Sequence, residues 1–160
     1  MKRLAVAVLA LAAAMPAGAQ QYASHDDYRV CQAALTDQGK RVVANDCGVL
    51  KAPDFAGAHF DSLSDLETAR AAREAFTAEV DTYGACVSAF IDSYRRPGAP
   101  ADSPAPDQAA CAHSWAEDQA TQAVREFGKA CIDFSNRSMT DRTLTPWSGE
   151  CYPAVSSGRG

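Results

Sequence analysis

The most regular hydrophobic pattern in the chain begins at Ser64. From there apolar or small residues recur at positions 66, 69, 76, 80, 83, 87, 90 and 94, with Arg73 interrupting the seam between 69 and 76. The steps alternate between three and four, the 3.5-residue period of a coiled-coil-type helical seam. Ser64 with Glu67 three residues on has the form of a capping box, and Pro97-Gly98 breaks the run. The pattern therefore predicts a long helix over residues 64–95.

The linker PGAPADSPAP follows, rich in helix breakers. Within it, Ser103-Pro104 supplies an N-cap residue and a proline suited to the first helical position, so a second long helix is expected to run to Arg137. Its seam reads Ala109, His113, Ala116, Ala120, Ala123, Phe127, Ala130, Phe134, whereas the first seam carries Phe76, Val80, Tyr83, Val87, Phe90 and Tyr94. Large residues facing small ones let two helix axes approach closely and still interdigitate. Two long helices with a short connection are expected to fold back as an antiparallel hairpin over residues 61–137.

The flanks are less regular. Ser24 with Asp27 resembles an acidic capping box, and Tyr28, Cys31 and Leu35 share one helical face, so a short N-terminal helix ending at Gly39 is expected. The stretch RVVANDCGVLKAPDF fits a short strand, a helical turn or an ordered loop. Residues 20–60 are thus a short helix and a loop. Residues 138–160, with Pro146, Trp147, Gly149 and Pro153, predict an irregular segment tied down by Cys151 and a loose tail after Pro153. The expected fold class is all-α: a long antiparallel helical hairpin with a short N-terminal helix, stapled by disulfides. A bare hairpin buries little surface, so it needs such support.

The N-terminus alters the picture. Lys2 and Arg3 precede an apolar run from Leu4 to Met15, Pro16 breaks it, and Ala17-Gly18-Ala19 fits a small-x-small cleavage site. This predicts a signal peptide over residues 1–19 and a mature chain starting at Gln20. The run is shorter than the roughly 20 apolar residues of a membrane span, so no integral membrane segment is expected after cleavage. Losing Lys2 and Arg3 would move the formal net charge from −5 to −7. An acidic chain whose longest basic cluster is Arg95-Arg96 has no footprint for nucleic acid or for anionic lipid. Alanine-rich, arginine-over-lysine usage is compatible with a GC-rich bacterium, and hence with the periplasm or the medium.

All six cysteines, at 31, 47, 86, 111, 131 and 151, follow the leader. An even count in an oxidising compartment favours disulfides. There is no CxxC or CxxCH, which removes thioredoxin-like, zinc-knuckle and covalent haem readings. In a hairpin, Cys86 and Cys111 lie within about one turn of each other in height, which predicts a disulfide between them. The other four fall at the open end, where pairing 31–47 with 131–151 is preferred and crossed pairing stays open.

Candidate chemistry is sparse. His113 and Glu117 stand at i, i+4 and form half of a metal site with no visible second half. His25 with Asp26 and Asp27 is better read as a solvated helix start. Asp65/Glu67 and Glu117/Asp118 are carboxylate pairs expected on helix surfaces. A nucleophile elbow, an HExxH and a phosphate loop are all missing from the sequence. Asn136-Arg137-Ser138 matches a glycosylation sequon by coincidence, and no cofactor is expected.

Phe76, Val80, Tyr83 and Cys86 form a Phe-x3-Val-x2-Tyr-x2-Cys run, and Ala120 through Phe134 form an alanine-rich stretch ending in aromatics. Over residues 62–135 this resembles small exported helical-hairpin proteins of alphaproteobacteria and their relatives. The resemblance implies a helical hairpin and brings no activity or substrate with it; Cys31, Cys47, Cys131 and Cys151 depart from the plain hairpin. The resulting expectation is an exported, non-enzymatic structural or interaction module of the bacterial envelope, acting as a homodimer or on an envelope protein. The alternative is a small-ligand or metal-binding periplasmic protein using the end near Cys131, Trp147 and Tyr152.

Overall fold

The computed structural model describes residues 31–153. The expected leader, the group His25-Asp26-Asp27 and the tail after Pro153 lie outside them. Among the described residues the fold is all-helical, with three helices and no strand: α1 (Ala33–Cys47), α2 (Leu63–Ser93) and α3 (Ala105–Thr140).

α2 starts one box earlier than the Ser64/Glu67 pattern predicts. Ser62 is its N-cap, accepting from the Asp65 amide at 3.2 Å while its hydroxyl donates to the Asp65 carboxylate at 2.8 Å. Both pairs have capping spacing, and Leu66 is buried just past the box that is used. α3 begins behind Pro104, and Ser103 Oγ accepts from the Ala105 amide at 3.3 Å. It ends at Asp141, whose carboxylate accepts from the Thr143 amide at 2.8 Å and hydroxyl at 2.7 Å, a turn in which the side chain replaces the next helical carbonyl.

The seams form the core. Leu66, Phe76, Val80, Tyr83 and Val87 from α2 are buried, as are Ala109, Ala116, Ala123, Phe127, Ala130 and Phe134 from α3. The Phe60 carbonyl, ahead of α2, accepts from Arg137 Nη2 at 2.8 Å near the end of α3. Gly84, late in α2, meets the His113 ring early in α3.

Gly39 does not end a helix. It lies inside α1, which runs on to Cys47, so RVVANDC, the first half of the RVVANDCGVLKAPDF stretch, is helical. Gly39 is small because α3 crosses there: a Cβ at this position would overlap the Gln108 carbonyl. Thr36, Gly39 and Val43 are the buried positions of α1, a face too short in apolar volume to stand out in a hydropathy pattern. α1 stops at Gly48, which has φ 78° and ψ −168°, a backbone region essentially confined to glycine.

Residues 48–62 are irregular yet feed the core. Phe55 and Phe60 are both buried against Phe127, at centroid distances of 5.7 and 5.8 Å. Arg73 faces the same ring with its guanidinium 4.6 Å from the centroid. The seam interruption is thus a buried side chain, 4 % exposed. Its Nη1 donates to the Cys151 carbonyl and its Nη2 to Glu74, each at 3.1 Å. The segment after α3 is irregular as expected and folds back on the helix. The Trp147 amide donates to Ser138 Oγ and the Trp147 carbonyl accepts from Ser135 Oγ, both at 3.1 Å.

The disulfides join Cys31 to Cys111, Cys47 to Cys86 and Cys131 to Cys151. The 131–151 pairing is the expected one. The expected Cys86–Cys111 and Cys31–Cys47 bonds are not formed. Gly84 and His113 do meet, so the heights of Cys86 and Cys111 correspond. Each cysteine, however, is two residues from that contact, which rotates it by about 200° around its helix and away from the seam. The partners are Cys31, two residues before α1, and Cys47, its last residue, so the segment carrying α1 is fastened to α3 at its start and to α2 at its end.

Candidate functional site

The groups singled out from sequence are not gathered into one place. His113 Nε2 lies 3.6 Å from Glu117 Oε1, within an i, i+4 pair on α3. Its ring packs over Gly84, and among the described residues no group of three or more His, Cys, Asp or Glu side chains has metal-binding geometry. Asp65, Glu67, Glu117 and Asp118 are exposed on helix surfaces. Ser138 of the sequon is buried and bonded to Trp147, inside a helix. All six cysteines are oxidised in pairs, so none offers a thiolate.

The end carrying Cys131, Trp147 and Tyr152 has a cleft of about 480 Å³. Tyr152 forms one wall, lying across Gly128, and Arg70, Glu74 and Asp81 of α2 form the other. Within it Glu74 accepts from Arg73, and Arg70 Nε lies 3.6 Å from the same carboxylate oxygen.

A second cleft, of about 410 Å³, lies where the last turns of α1 meet α3 and the turn after Gly48. Trp115 and Leu50 form apolar walls, and Tyr83 reaches it from α2. Lys40 spans the rim, with Nζ 2.8 Å from Asp37 Oδ1 and 4.6 Å from the centre of the Trp115 ring. The ammonium beside Asp37 holds its carboxyl below the usual aspartate range, chiefly through their hydrogen bond. Burial pushes the Tyr83 phenol above its usual range. Beside these groups stands Val49, 80 % exposed and the most open of the large apolar side chains described.

Sequence reasoning missed this cleft because its residues come from three separate segments and Lys40 and Arg41 fall in a stretch of undecided structure. The available signal was the pair Val49-Leu50 after Gly48, an apolar step at a helix end. Comparison with protein-family models, with curated proteins and with solved structures finds no match for the chain.

Proposed function

We propose that the chain is an exported, non-enzymatic helical interaction module of the bacterial envelope, built on an antiparallel α2/α3 hairpin clasped by α1. The observation that supports this reading is the use of the cysteines. Each of the three bonds joins segments distant in sequence, fixing α1 to α2, α1 to α3, and the C-terminal segment to α3. Such bonds persist in oxidising compartments and compensate for a modest core. Among the described residues no helix is long and apolar enough to cross a membrane. A scaffold of this kind presents fixed helix surfaces to a second copy or to an envelope protein.

The test has two parts. Expression with the native N-terminus in a bacterial host should deliver a disulfide-bonded product to the periplasm or medium, starting at Gln20. Light scattering of that product should give twice the chain mass, or crosslinking in the envelope fraction should give one discrete adduct that reduction abolishes. A product retained in the cytoplasm, or one that stays monomeric and forms no adduct, contradicts the reading.

A further inference from the structure

We propose that the cleft between the end of α1, the turn after Gly48 and Trp115 binds a small aromatic carboxylate. The proposal is independent of the interaction-module reading and rests on what each wall of the cleft leaves unused.

The first observation is Tyr83. The residue is 3 % exposed, and no side-chain hydrogen bond of its hydroxyl is found among the described residues. No side-chain oxygen or nitrogen sealed from solvent is left unpartnered among those residues. The hydroxyl therefore meets the open volume of the cleft it lines. A phenol whose donor faces the open cleft, with no protein partner among the described residues, can give that donor to a ligand oxygen entering it. Because burial raises its pKa, the phenol stays protonated at neutral pH and can donate.

The second observation is charge. Two cations and one anion stand at the rim, in a chain of net charge −5. Lys40 is committed to Asp37 and to the Trp115 face. Arg41 is exposed and makes no ion pair among the described residues. One guanidinium and one phenol that both line the cleft, each without a partner among the described residues, suit a single carboxylate. A phosphate-rich ligand would call for more unpaired cations than the cleft holds.

The third observation is shape. Trp115 and Leu50 give the interior an apolar surface, and exposed Val49 extends it to the mouth. The volume of about 410 Å³ falls within the span of small-molecule sites. Both faces are held: the Cys47–Cys86 bond ties the end of α1 to α2, and Lys40 packs on the indole. Little ordering is left to be done on binding, which favours a flat ring over a flexible chain.

The oxidised chain should be titrated with 2-naphthoate and, separately, with 2-naphthamide, by calorimetry and by NMR. Naphthoate is expected to bind one molecule per chain and to shift the Trp115 indole N–H while leaving that of Trp147 in place. The amide, lacking the charge, is expected to bind about tenfold more weakly. Arg41→Ala should weaken naphthoate about five- to tenfold without affecting the amide, and Arg41→Lys should restore part of the loss. Tyr83→Phe should weaken both ligands. Should it unfold the chain, the exposed Arg41 variants and the acid-to-amide ratio still decide the matter. No binding at millimolar naphthoate, equal affinity for acid and amide, or no effect of Arg41→Ala would each overturn the proposal.

Discussion

Cys47, the last residue of α1, is bonded to Cys86 on α2 with their Cα atoms 5.6 Å apart, across 39 positions of sequence. With Cys31–Cys111 at the other end of α1, this bond makes the first helix a clasp across the two long ones. Non-reducing peptide mapping should recover the pairs 47–86, 31–111 and 131–151. A peptide joining Cys86 to Cys111 would contradict the arrangement directly.

The clasp should matter more to stability than the C-terminal bond. In the chain-entropy view, removing Cys47–Cys86 with paired alanines costs about 4 kcal/mol, against about 3 kcal/mol for the shorter Cys131–Cys151 loop. Urea denaturation of the two double variants should rank them in that order. The reverse ranking would mean that the C-terminal segment holds the fold more firmly than α1 does.

Arg73 is the charged side chain in the core, and its value lies in what it touches. Arg73→Ala removes packing against Phe127 and orphans the Cys151 carbonyl, so a loss of about 2–4 kcal/mol is expected. Arg73→Met keeps most of the volume and should lose about 1–2 kcal/mol. Glu74, more than half exposed, is a weak partner, and Glu74→Gln should change stability by less than about 1 kcal/mol. Chemical denaturation of the three variants checks the order.

Two glycines of the first helix should respond for different reasons. Gly39→Ala forces a methyl against the Gln108 carbonyl, a backbone atom that cannot swing away, and should cost at least about 2 kcal/mol. Gly48→Ala meets open space but has to hold a positive φ, at about 1–3 kcal/mol. A neutral Gly39→Ala in thermal unfolding would show that α1 and α3 are further apart than described.

Asp141 closes α3 with a carboxylate that accepts from Thr143 twice, and those bonds hold its pKa below the usual aspartate range. A folded-state pKa below the unfolded one means the turn contributes stability above the unfolded value. That contribution is lost as pH falls through the folded pKa. Carboxyl titration by NMR should therefore find Asp141 ionising at lower pH than exposed aspartates. Thr143→Val, which removes the hydroxyl donor, should bring it back toward them.

The long helices were legible because their signal is local and repeated. Phe76, Val80, Tyr83 and Val87 recur on one face of α2, and alanines recur on α3, so period and breakers alone place both elements. α1 was not legible: its buried positions are a threonine, a glycine and a valine, and Gly39 imitates a helix stop. The cleft at Tyr83 was not legible either, because it needs Lys40, Trp115 and Leu50 to be brought together from distant segments.

By itself the sequence determined the helical class, the two seams, the disulfide chemistry of six cysteines and the tether at Cys151. Those depend on neighbours in the chain and on composition. Only the tertiary structure decided which cysteines meet, because bonding depends on rotation about the helix as well as height along it. It also decided that Arg73 is buried, since a charged residue enters a core only where a ring, a carbonyl and a carboxylate converge on it. Those three groups lie on Phe127, Cys151 and Glu74, and no local pattern in the sequence connects the first two with Arg73.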